Sequence, residues 1–175
     1  QAALDRFMHR IPAQVAVVID EAYRELLPPA RQPDTTRYIR DGRPVFLLRT
    51  FSKAFGLAGL RLGSTLSSPD GIDLLNRVRQ PFNVNHIAQS AAIAALKDAA
   101  WLKQTREQNR RGLQLLADGL DELNIPFLPS NANFILAEPG SSAAACYEYL
   151  LRHGVIVRPV ANYGLDNYLR ISVGP

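Results

Sequence analysis

The sequence predicts an α/β sheet, mainly parallel, followed by a small α+β layer. Three observations carry that expectation. Residues 15–19 and 45–48 are short, unbroken runs of β-branched or aliphatic side chains, the texture of parallel strands buried on both faces. About 25 residues separate them, enough for a crossover that includes a helix. Beyond Pro126 the pattern changes to strand, helix, strand, strand, which suits a separate α+β layer.

The elements follow in order. A partial helix spans residues 1–10, ahead of the first strand at 15–19. The crossover helix falls near 35–40, the second strand at 45–48 and a third at 60–67. Residues 70–79 and 86–97 read as helices, with Pro81 breaking the chain between them. Residues 99–124 form a long helix. Trp101, Leu102, Thr105, Leu113, Leu116 and Leu120 give its apolar side, and Lys103, Arg106, Glu107, Arg110 and Arg111 its wet one. Pro126 and Pro129 end it. Then come a strand at 134–137, a helix at 141–153, and short strands at 155–157 and 169–173. The domain boundary is expected inside the long helix, giving regions 1–100 and 101–175.

Composition narrows the function classes. With 175 residues, 47% hydrophobic and 21% charged, the chain can bury a core, and collagen-like or wholly disordered readings fail. A net charge of +4 is too slight to argue for nucleic acid. The single cysteine, Cys146, allows no internal disulfide and suits a reducing compartment, with a cytoplasmic location expected. His9, His86 and His153 are too scattered for a metal-ligand set. No apolar run approaches the roughly 20 residues of a membrane span, so no membrane partner is expected. The chain opens on Gln1 without a methionine and stops at Pro175, at the end of a strand-like run. A longer parent protein is the expectation.

Two places carry chemistry. Asp20 closes the first strand, and ligands of open α/β sheets gather at the carboxyl ends of strands. Capping of a following helix is an equally open reading of that aspartate. After the second strand, residues 50–63 combine hydroxyls, Lys53, three glycines and Arg61. A lysine held beside a strand end can act as an amine nucleophile, and Ser52 with Arg61 could hold a phosphate. A solvated lysine in an ordinary loop is the alternative.

Val17-Val-Ile-Asp-Glu-Ala-Tyr23 followed by Leu48-Arg-Thr-Phe-Ser-Lys-Ala-Phe-Gly-Leu-Ala-Gly-Leu-Arg-Leu-Gly63 resembles the histidinol-phosphate aminotransferase family. Arg79-Gln-Pro-Phe-Asn-Val-Asn85, Asn131-Ala-Asn-Phe-Ile135, Gly154-Val-Ile-Val-Arg158 and Tyr168-Leu-Arg-Ile-Ser-Val-Gly174 fit the same family in order. One position departs from it, Ser64, where the family often has tyrosine after the glycine. The resemblance implies the aspartate aminotransferase fold and pyridoxal 5′-phosphate (PLP) as cofactor. The chain would then be the C-terminal part of a PLP-binding large domain plus a small, end-truncated substrate-binding domain.

Roles follow from the same resemblance. Lys53 would anchor the cofactor and shuttle the substrate proton, and Asp20 would pair with the pyridine nitrogen. Tyr23 would bond the phenolic oxygen, while Ser52 and Arg61 would hold the phosphate. Arg170 would clamp the substrate carboxylate, Arg158 the phosphate of histidinol phosphate, and Asn133 would help orient the carboxylate arginine. The implied reaction is amino transfer between L-histidinol phosphate and 2-oxoglutarate, in a homodimer. The resemblance also puts a second phosphate loop, a ring-stacking aromatic and an asparagine upstream of the Asp20 strand, so the 175 residues alone are expected to be inactive.

Other readings share some of these residues. Phosphate-reading PLP enzymes such as threonine-phosphate decarboxylase carry much of the same motif set, and aromatic aminotransferase activity is a further alternative. From another class, four apolar residues before Asp20-Glu21 resemble the Mg²⁺-binding strand of P-loop ATPases, and a non-catalytic interaction module of the same fold is a third option.

Overall fold

The computed structural model describes residues 1–174, which fall into two compact units, Gln1–Leu102 and Lys103–Pro175. Pro175, the last residue of the second predicted region, lies outside the described residues. No helix among the described residues is long and apolar enough to cross a membrane, and no group of three or more potential metal ligands clusters.

In the first unit, helix α1 (Ala2–Arg10) precedes strand β1 (Val17–Asp20). Helix α2 (Thr36–Arg40) lies on the crossover to β2 (Val45–Thr50), and β3 (Gly63–Leu66) follows. β1 and β2 run parallel, with Val17 opposite Val45 and Asp20 opposite Leu48. β3 runs antiparallel to β2, pairing Leu47 with Leu66 and Thr50 with Gly63, so the three-stranded sheet is mixed. Alternation decides what is buried. Val17, Val45 and Leu47 point into one core with Met8 of α1 and Tyr38 of α2. Val18, on the opposite face, is 61% exposed. The expectation of strands buried on both faces is corrected in part: Val18 and Asp20 on the second face are exposed, while Phe46 on that same face is half-buried, with Gly71 close to its ring. Arg43 joins α1 to the entrance of β2, its guanidinium donating to the carbonyls of Met8 and Ile11, both at 2.9 Å. A cation there matches the partial negative charge of a helix C-terminus.

Two predicted boundaries in this unit shift for local reasons. The first strand starts at Val17 because residues 12–15 close a turn, Val15 N donating to Pro12 O at 3.0 Å. The third strand shortens because residues 58–60 wind into a 3-10 turn and Arg61 takes a left-handed conformation (φ 53°). After β3 come α3 (Pro69–Val78), capped by the Ser68 hydroxyl, and α4 (His86–Lys97), capped by the Asn85 side chain.

Helix α5 (Ala99–Glu122) contains the point at which the two units divide. It stops before either proline. Asn124 is left-handed (φ 54°), and Ile125 N reaches back to Leu120 O at 2.9 Å, the hydrogen bonding of a Schellman stop. The second unit then builds a sheet in the order β4-β5-β7-β6 from β4 (Phe127–Leu128), β5 (Phe134–Ala137), β6 (Arg158–Pro159) and β7 (Leu169–Ser172), with every pair antiparallel. Helix α6 (Ala143–Arg152) connects β5 to β6. Ile135 and Ala137 of β5 pack with Leu120 of α5, while Ala143, Val157 and Leu169 form a neighbouring cluster joined by Cys146.

The strand predicted at 155–157 is displaced. Val157 is buried under α6, and ladder pairing begins only at Arg158. Pro159, which has no N–H to give, suits this edge position. Gly112 of α5 is fixed by packing, since a Cβ there would lie 2.3 Å from Val173 Cγ1.

Candidate functional site

At the outlet of β1, Asp20 is exposed, and its Oδ1 accepts from Ala22 N at 2.9 Å. That bond forms a tight turn into the 3-10 segment Arg24–Leu26, so the aspartate does not cap an α-helix. Tyr23 lies immediately before that segment.

The outlet of β2 is a closed loop. Ser52 N donates to Thr50 Oγ1 at 3.1 Å, Phe51 N to Leu62 O at 3.1 Å, and Leu57 N to Phe51 O at 2.9 Å. Gly56 N donates to Lys53 O at 3.0 Å, and Gly56 itself is at φ 71°, where a Cβ would be strained. Ala54 and Phe55 are buried, and the Phe55 ring packs against Phe51 at a tilt of 35°, with centroids 4.9 Å apart. The Trp101 indole donates to Ala54 O at 3.0 Å. With its neighbours so fixed, half-buried Lys53 presents Nζ over the Tyr23 ring, 5.4 Å from its centroid, a cation–π placement.

Of the five predicted residues in this unit, Lys53 and Tyr23 are therefore brought into contact. Asp20 and Arg61 bond instead to the backbone of their own turns. The exposed Arg61 guanidinium gives one N–H to Ala58 O at 2.9 Å and keeps its other donors.

In the second unit, Arg158 of β6 stands directly opposite Arg170 of β7. Like charges placed across a ladder repel, and among the described residues neither arginine pairs with a carboxylate. Arg158 Nη2 donates to the Tyr163 hydroxyl at 3.3 Å. The Arg170 guanidinium sits 4.0 Å over the Phe134 ring, and its buried Nε has no hydrogen-bond partner among the described residues. Asn133, just before β5, accepts from Val173 N at 2.8 Å through its carbonyl and buries an unpartnered Oδ1. The loop that holds it is fixed by Asn109, whose side chain donates to Ala132 O at 3.0 Å. A cationic, under-satisfied site of this kind suits an anion with several acceptor oxygens.

The basic stripe on α5 is different. Arg110 and Arg111 both bond Glu107, which holds its carboxyl down at about 2. These charges answer one another on a solvated helix face.

Sequence reasoning missed Trp101, Tyr163 and Asn109, and it named Glu21 only in the Mg²⁺ alternative, as a second carboxylate directly behind a buried strand. Its partners Thr35 and Arg49 come from other segments.

The first unit thus presents an amine on a closed loop and a carboxylate at a strand end, and the second an arginine pair across an antiparallel ladder. The chain matches a known family over residues 3–175 and belongs to it: aminotransferase class I and II. Within that family, the chain is 50% identical over 172 residues to histidinol-phosphate aminotransferase 2 of Pseudomonas fluorescens (strain Pf0-1), covering 98% of this chain and 46% of that one. It is 47% identical over 176 residues to histidinol-phosphate aminotransferase 1 of Cupriavidus pinatubonensis, covering 99% of this chain and 47% of that one. Among solved structures, histidinol-phosphate aminotransferase of Sinorhizobium meliloti in complex with pyridoxal-5′-phosphate superposes with a TM-score of 0.90 at 34% identity, over 99% of this chain and 48% of that one. The chain thus spans about half the length of the relatives it matches. Membership of this family replaces the ATPase reading of Asp20-Glu21.

Proposed function

We propose that, in its full-length setting, this chain carries out PLP-dependent amino transfer between L-histidinol phosphate and 2-oxoglutarate. The observation that carries the reading is the arginine pair. Arg158 and Arg170 face each other across β6 and β7 without carboxylate partners among the described residues, and Arg170 Nε, like Asn133 Oδ1 just before β5, is buried without a hydrogen-bond partner. Histidinol phosphate supplies a phosphate, and the dicarboxylic oxo acid supplies carboxylates, for such donors.

The residues present also fit the cofactor. A carboxylate at a strand end suits a protonated pyridine nitrogen, a lysine over a tyrosine ring suits an aldehyde and its neighbouring phenolic oxygen, and Ser52 with the spare donors of Arg61 suits a phosphate. When bound, PLP supplies the electron sink that makes the α-carbon proton of an amino acid removable. Asp20 would keep a proton on the ring nitrogen. Lys53 Nζ would anchor the cofactor and, once released by the incoming amino substrate, take the α-carbon proton. Tyr23 would orient the amine and donate its hydroxyl to the phenolic oxygen. Arg170 would clamp the substrate carboxylate, with Asn133 aligning it, and Arg158 would read the phosphate.

Residues 1–100 are read as part of the cofactor-binding domain and 101–175 as the substrate-binding one. The protein is further read as a cytoplasmic homodimer. Exposed apolar side chains on α3, α4 and the loop between them, including Val78, Ile87 and the 98%-exposed Phe82, support an assembly surface.

The deciding experiment is borohydride treatment of the full-length protein with PLP, followed by peptide mapping and a substrate panel. PLP should be fixed on the peptide carrying Lys53, and histidinol phosphate should outpace phosphate-free aromatic amino acids. Labelling spread over surface lysines, or no preference for the phosphate, sinks the reading.

A further inference from the structure

Glu21 follows Asp20 directly, yet its side chain is only 4% exposed. A carboxylate at that depth is costly unless donors surround it. Here they do. Oε1 accepts from Thr35 Oγ1 at 2.6 Å and from Arg24 Nη1 at 3.1 Å, and Oε2 accepts from Arg49 Nε at 2.8 Å. Thr35 is itself 1% exposed, and Arg24 also donates to Pro33 O at 2.6 Å. Glu25 faces the same cluster. Its burial raises its carboxyl above the ordinary value, while Arg49 and Arg24 act against that rise.

The location gives this cluster its meaning. Asp20 is paired in register with Leu48, and Glu21 N donates to Leu48 O at 2.8 Å, carrying the ladder one step further. Arg49 is the next residue of β2, and Lys53 lies on the turn that follows. One buried carboxylate therefore ties the end of β1, the crossover at residues 33–35 and the end of β2 together, behind the outlets that carry Asp20 and Lys53. Networks of this sort hold geometry more firmly than exposed pairs because each bond is shielded from water.

Resting on the amino-transfer reading, we propose that Glu21 is a positioning residue. Its carboxylate fixes the two strand outlets, and so the relation of Asp20 to the Lys53 loop. It touches no reacting atom.

The test uses the full-length protein as wild type, Glu21→Gln, Thr35→Val and Met8→Ala. Met8→Ala hollows the core that α1 and α2 form on one face of the same sheet and serves as the purely structural control. For each, the thermal midpoint, the PLP dissociation constant by equilibrium dialysis, the absorbance maximum of bound PLP, and kcat and KM are measured. Glu21→Gln should weaken PLP about tenfold, move the absorbance maximum and lower kcat about tenfold, while KM for the amino substrate stays within about twofold. Thr35→Val, which removes one of the bonds, should weaken PLP roughly two- to threefold. Met8→Ala should lower the thermal midpoint at least as much and leave PLP affinity and absorbance alone. Should Glu21→Gln fail to fold, Thr35→Val decides by itself. Wild-type affinity and absorbance in the folded Glu21 and Thr35 variants, or equal changes in Met8→Ala, overturn the proposal. No PLP uptake by the wild type defeats the amino-transfer reading instead, and this inference with it.

Discussion

In residues 1–102 the candidate lysine stands on a loop whose backbone hydrogen bonds close on one another, and the aspartate is bonded to its own turn. In residues 103–174 the candidate arginines stand on paired strands, with buried polar atoms left unsatisfied at Arg170 and Asn133. The first arrangement is complete in itself and offers one amine at a fixed place. The second leaves donors unmatched, a setting that suits an anion. A group that must hold and pass a proton gains from a rigid mount. Groups that must capture a charged molecule and release it gain from donors the protein leaves unmatched.

That contrast can be broken most severely at Lys53. On the amino-transfer reading, Lys53→Ala in the full-length protein should lower turnover by roughly 10⁴-fold or more while the thermal midpoint stays near wild type. Rates within tenfold would remove the lysine from the chemistry. Next comes Arg170→Ala, expected on the amino-transfer reading to reduce kcat/KM about 100-fold for every substrate, since that reading gives it two charge-assisted bonds to a carboxylate. Arg158→Ala sharpens the comparison further. Steady-state kinetics should give a KM about tenfold higher for phosphorylated substrates and little change for phosphate-free ones. Equal losses on both would contradict a phosphate role.

The smallest effect is expected on α5, where charges are already matched. Bonds from Arg110 and then Arg111 hold the Glu107 carboxyl at about 2, below its ordinary value of 4.5. Because the folded value is the lower one, the stabilisation is present above pH 4.5 and disappears as pH falls from 4.5 towards 2. Thermal melts of Glu107→Gln should therefore show a small deficit against wild type at pH 7 that closes across that window. A gap that is unchanged at pH 2 would mean the pairs do nothing.

What could be read in the sequence depended on range. Asp20, Ser52 and Lys53 lie in two short segments whose spacing survives any tertiary arrangement, so they were legible as candidates, while Tyr23 became one only through the family resemblance. The helices at α4 and α5 announced themselves by periodicity. The Glu21 cluster did not, because Thr35 and Arg49 meet it only once β1 and β2 pair. The strand at β6 slid past its apolar residues for a similar reason. Val157 serves the core beneath α6, and the hydrogen-bonding edge is left to Arg158 and Pro159. The end of α5 was set by a left-handed asparagine, a conformation that no periodicity reveals.

Trp101 is the only tryptophan in the chain, and its indole nitrogen is bonded one residue past Lys53. The protein thus carries its own optical probe on that loop. Indole emission will respond whenever the Ala54 carbonyl moves, or whenever a chromophore settles on the neighbouring lysine. Loop behaviour can be followed in solution without adding a label or changing a residue.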